Sequence, residues 1–167
     1  MLRTLMMTAA LLSALSTTTF AASPSSRDLA AEEANRTLVV EFYDQFFNKH
    51  QVEEAARVVA DDYTQHNPDV PDGKAPFVGY FSGFFKENPQ SRARIVRSAT
   101  DGDLVYLHVH STNGPEDRGQ AVVDIFRVDD GVIVEHWDVI QDVPAESAND
   151  NLSLIHISEP TRRTPIS

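Results

Sequence analysis

The chain has 167 residues and no cysteine. That excludes disulfides, thiol nucleophiles, thiolate metal sites and iron–sulfur clusters. Positive charge is scarce: 14 Lys and Arg stand against 25 Asp and Glu, for a formal charge of −11. Such a balance argues against nucleic acid or an anionic membrane as a partner. After residue 15 there is no apolar run long enough to span a bilayer. There is a single Trp, and no internal repeat is visible.

Apolar residues make up 41% of the chain and nine residues are Phe, which suits one hydrophobic core of one-domain size. The first 22 residues have a different pattern. Arg3 precedes a short apolar stretch, Leu5 to Leu15, and Thr19-Phe20-Ala21 offers small residues at a cleavage site. The pattern predicts a removable secretory signal over 1–22, cut after Ala21 or Ala22, and hence an exported protein, periplasmic or secreted, with no membrane attachment after its removal. At the other end, the composition changes abruptly after PAESANDN. Residues 152–167 resemble the translation of a sequencing-library adapter, so the expected domain is 23–151 and His156 is given no role.

Within that domain, Leu38, Val39, Phe42, Tyr43, Phe46 and Phe47 form a wide apolar stripe that predicts a helix over 28–48. Val52, Ala55, Ala56 and Val59 predict a second helix over 51–61, and Phe77, Val78, Phe81, Phe84 and Phe85 a third over 75–87. The Pro-rich stretch 62–73 reads as a loop, with a possible short strand from Tyr63 to His66. Strands are expected at 92–100, 104–112, 121–128 and 132–141, joined in hairpins at Asp101-Gly102 and Asp129-Asp130-Gly131. Helices followed by an antiparallel meander predict an α+β fold with helices on one face of a curved sheet.

Asp124 interrupts a strand, AVVDIFRV, whose two faces are both largely apolar. This predicts a central strand covered on both sides and a buried carboxylate. Burial without a partner raises a carboxyl pKa, which makes a general base; a structural Asp bonded to backbone or Arg is the alternative. His108 and His110 share a strand face. They could hold a metal with His66 or His136, donate to a ligand oxygen, or stand exposed. Tyr63, Gln65, His66 and Asn67 gather before Pro68, where turn chemistry is the plain explanation. On the last strand, Trp137 and Glu135 face one way and His136 and Asp138 the other. Trp137 suits a core or a pocket wall.

Three runs, Tyr63 to Pro68, Gly102 to His110, and Ala121 to Gln141, together resemble the SnoaL-like proteins of the nuclear transport factor 2-like superfamily, over about residues 30–143. The resemblance implies a cone: a strongly bent antiparallel sheet wrapped around three N-terminal helices, with an internal pocket. It implies a cofactor-free aldol condensation or isomerisation of a small carbonyl compound through an enolate, with Asp124 as base and His110 assisting. Tyr63, His66, Asn67, His108, His136 and Trp137 would contact a small apolar or carbonyl-containing ligand, without cofactor or metal. A homodimer through the outer sheet face is a further expectation. The other functions left open are a non-catalytic, exported ligand-binding or protein-interaction domain and a metal-dependent enzyme using His108 and His110.

Overall fold

The structure is a computed structural model that describes residues 27–149, with 151 and 153. The expected signal segment 1–22 and all of the tail 152–167 except Ser153 lie outside the described residues.

Asp28 starts the first helix by accepting the free backbone N–H groups of Ala30 and Ala31. Helix α1 runs Leu29–Tyr43 and continues as a π-helical turn, Asp44–Asn48. The wider turn lets consecutive Phe46 and Phe47 both reach the core, and it begins directly after Tyr43, a residue of the site. The second helix is shorter than the periodicity predicts. Helix α2 is Val52–Ala55, followed by a 3₁₀ turn, Ala56–Val58. At Val59 the backbone turns extended, and β1 runs Val59–Gln65. Val52, Ala55, Ala56 and Val59 are all buried, so the apolar spacing marked the core correctly but could not mark the change of backbone. Helix α3, Lys74–Glu87, follows Gly73 at φ 95° and ends where Asn88 Nδ2 donates to the Phe84 carbonyl.

Strands β2 (Arg92–Asp101), β3 (Leu104–Thr112), β4 (Gln120–Asp129) and β5 (Val132–Asp142) form the meander. Asp130 and Gly131, both at positive φ, make the two-residue β4–β5 turn that the right-handed strand twist favours. The sheet order is β1-β5-β4-β3-β2. It is mixed rather than wholly antiparallel: β1 adds to β5 in parallel, because the chain arrives there from the helical layer. The open sheet bends through register shifts in β1–β5, β2–β3 and β4–β5.

The helices and their Phe rings fill the concave side, against Val105, Leu107, Val109, Val122, Phe126 and Ile133. The convex side is open, with Val123 42% and Val139 71% exposed. Central strand β4 is therefore covered on one face, not two. Among the described residues no helix is long and apolar enough to cross a membrane.

Candidate active site

A cavity of about 750 Å³ lies between the helices and the concave face of the sheet. That is a usual size for a small-molecule site. Rings of Phe47, Phe77, Phe81 and Phe126 form its apolar wall, and carboxylates stand on the sheet side.

Strand alternation places the polar groups. On β4, Val122, Asp124, Phe126 and Val128 point inward. Asp124 is 5% exposed and has three built neighbours. The Tyr43 hydroxyl, from the end of α1, donates to Oδ2 at 2.8 Å. His136 Nε2 stands 3.0 Å from Oδ1. Asp138 is the direct cross-strand partner of Asp124, and ligand atoms of Asp124, His136 and Asp138 lie within 4.8 Å of one another. Asn67 Nδ2 reaches both Asp138 oxygens, at 2.9 and 2.8 Å. From β1 and the loop beyond it, Tyr63, Gln65 and Asn67 alternate into the cavity.

The field of this cluster acts on the two phenols. Burial, reinforced by the negative charges of Asp124 and Asp138, holds the Tyr43 and Tyr63 hydroxyls protonated well above the ordinary tyrosine range. Both are therefore hydrogen-bond donors. Tyr43 spends its proton on Asp124. Tyr63 accepts from Gln65 Nε2 at 3.3 Å, which leaves its O–H available to a ligand. The ligand atoms of Asp124, His136 and Asp138 are close together, but they are already engaged: Tyr43 donates to Asp124, His136 pairs with it, and Asn67 donates to both Asp138 oxygens.

Of the residues singled out in the sequence, Asp124, Tyr63, Asn67 and His136 line the cavity. His110, His108, His66 and Trp137 do not. On β3 the inward positions are Val105, Leu107 and Val109, so His108 and His110 lie on the convex face, paired with Val123 and Ala121. His110 instead meets the Arg118 carbonyl at 2.8 Å. The sheet separates it from Asp124, and His136 stands in the place expected for it. His66 Nε2 lies 2.7 Å from Glu135 Oε1, in hydrogen-bond contact, and the ring stacks on Trp137, with ring centroids 4.6 Å apart. Arg127 covers the Trp137 ring at 5.6 Å and bonds Glu135 at 2.8 Å. This quartet sits on the convex side, so Trp137 walls no pocket.

Sequence reasoning passed over Tyr43, and it named Gln65 and Asp138 without giving them a role in the site. Tyr43 looked like part of an apolar helix stripe. Gln65 and Asp138 had a usable signal, the two-residue spacing that joins Tyr63 to Gln65 to Asn67 and His136 to Asp138.

Comparison with known proteins follows this geometry. Solved structures with the same architecture include a candidate ketosteroid isomerase from Kribbella flavida DSM 17836, 22% identical with a TM-score of 0.58, over 81% of this chain and 93% of that one. They also include a candidate polyketide cyclase from Bacillus cereus ATCC 10987, 21% identical with a TM-score of 0.52, over 72% and 77%. A SnoaL-like protein of unknown function from Burkholderia thailandensis E264 is 15% identical with a TM-score of 0.57, over 66% and 96%. At these identities the likeness shows a shared fold, the nuclear transport factor 2-like cone. No curated protein matches the chain. The model of the SnoaL-like domain matches residues 39–136, more than half of the sequence and every strand of the cavity wall except β5 beyond His136, and the chain belongs to that family.

Proposed function

We propose that this chain is an acid–base enzyme that moves a proton on a small, largely apolar carbonyl compound through an enolate, as an isomerase or ring-closing cyclase does. One observation carries the reading. A buried carboxylate, Asp124, faces an aromatic cavity with its orientation fixed from two sides by Tyr43 and His136.

In this reading Asp124 takes the proton α to the carbonyl, through a lone pair left free by its two partners. The Tyr63 hydroxyl donates to the carbonyl oxygen, where negative charge develops as the proton leaves. The Phe rings exclude water and hold the ligand so that the enolate carbon reprotonates or meets a second carbonyl. His136 steadies Asp124, where the resemblance named His110 as the assisting histidine. Names of similar structures, a candidate ketosteroid isomerase and a candidate polyketide cyclase, support the class of chemistry. Export guided by residues 1–22 belongs to the same proposal.

The test is proton exchange. A bicyclic ketone such as 2-tetralone is incubated with the protein in deuterated buffer and its α-protons are followed by NMR. Faster exchange than in buffer is expected, and Tyr63→Phe lowers it by about 10²-fold, the usual cost of one oxyanion donor. Binding of such ketones with no exchange above buffer would instead make the chain a ligand-binding domain.

A further inference from the structure

The hydrogen bonds around His136 determine where its protons lie. The backbone N–H of Asn67 lies 3.0 Å from one end of the Gln65 amide. A backbone N–H can only donate, so that end is the oxygen, Oε1. The other end, Nε2, then donates to the Tyr63 hydroxyl. The same Oε1 lies 3.0 Å from His136 Nδ1. An amide oxygen has no hydrogen to give, so Nδ1 must carry one. The second ring nitrogen, Nε2, faces Asp124 Oδ1 at 3.0 Å, with both residues more than nine-tenths buried. The far oxygen of Asp124 already receives the Tyr43 proton.

We propose that Gln65 is a positioning residue that locks His136 in its Nδ1–H form and thereby keeps one proton in the contact between His136 Nε2 and Asp124 Oδ1. The alternative, a neutral ring protonated at Nε2, would set the Nδ1 lone pair against the Gln65 oxygen. Its contact with an ionised Asp124 would carry a net negative charge, close to a second carboxylate, Asp138. The lock removes that state. With the proton retained, the imidazole–carboxyl pair is neutral overall, whichever partner holds it. The titratable and charged groups around the His136–Asp124 pair are Tyr43 from α1, which donates to Asp124, Tyr63 from β1, and Asp138 from the same strand as His136. Both phenols are donors, so neither competes for the proton.

The placement of protons stands without the enolate reading; its use in catalysis rests on it. Asp124 can take a substrate proton only when the shared proton sits on the ring, and the cationic ring then offsets the enolate charge.

The experiment is ¹⁵N NMR of the full chain labelled at histidine, with the His136 signals assigned by their loss in His136→Gln. In the wild type Nδ1 is expected to remain protonated at every pH at which the fold persists. In Gln65→Leu the neutral Nε2–H form appears as pH rises. Gln65→Glu, which keeps an acceptor at that place, restores the Nδ1–H form. A neutral Nε2–H ring in the wild type overturns the proposal, and so does a Gln65→Leu spectrum identical to the wild type. If Gln65→Leu fails to fold, the wild-type spectrum and Gln65→Glu decide. Ketone exchange plays no part in this readout, so the enolate reading can fail while the lock survives.

Discussion

Asp124 shows how much one buried charge depends on its neighbours. Each oxygen has a built partner, Tyr43 on one side and His136 on the other. Removing a partner of a buried, charged group leaves its desolvation uncompensated, at about 1.5–3 kcal/mol for a hydrogen bond to charge. Tyr43→Phe is therefore expected to lower stability by about that amount in urea titrations, while the ring still packs on Phe47 and Phe126. A change below about 0.5 kcal/mol would mean that Asp124 does not need the donor. Which residues surround Asp124 was only partly legible. Alternation along a strand separates His136 from Trp137 but does not say which faces inward. The decision is made at Val134, where β5 has an extra residue: Arg127 pairs Glu135 while Val128 pairs Ile133. Ile133 points inward, and plain alternation from it would send Glu135 and Trp137 into the cavity. The bulge reverses the phase, and His136 and Asp138 go in instead. A bulge leaves little trace in composition, so Trp137 could be taken for a pocket wall.

Among the elements, helices and strands with a long regular pattern were readable, and those fixed by tertiary partners were not. Both hairpins stand where Asp-Gly pairs announced them. The turn from α2 into β1 was hidden, because buried Ala and Val fit either backbone. How α1 is pinned to the sheet was equally hidden, since its ties join residues far apart in sequence. Glu32, in the first turn, takes Arg27 as an ion-pair partner and accepts from Thr100 Oγ1 at 2.8 Å on β2. These partners, Arg27 foremost, pull its carboxyl down to about 2 from 4.5. A carboxyl depressed on folding adds stability that is complete above its unfolded value and is lost as pH falls through its folded one. The contribution of Glu32 is thus present above about pH 4.5 and disappears towards pH 2. Glu32→Gln should flatten the stability–pH curve in that window, measured by thermal unfolding at a series of pH values. An unchanged curve would show that the tie does not form.

At the scale of the molecule, the α+β class was legible in the meander and the three helical stripes, and the cone in the resemblance that the strands carry. The expectation of a β4 covered on both sides was drawn from the same apolar pattern. In the single chain the convex face carries exposed Val123 and Val139 instead. A second copy of the chain lying there is our proposal for what that pattern serves. Sedimentation is expected to give a dimer, and Val139→Glu, outside the cavity, to dissociate it; a wild-type monomer at micromolar concentration would remove the idea. The cavity does not depend on that pairing, since every residue in its acid–base cluster comes from one chain. The most direct test of the account is ketone α-proton exchange in Asp124→Asn, with circular dichroism to confirm the fold. Asparagine keeps the shape and one acceptor but cannot take the proton. Exchange at least about 10²-fold slower than wild type, in a folded protein, is the predicted result; exchange at the wild-type rate would contradict the role of Asp124.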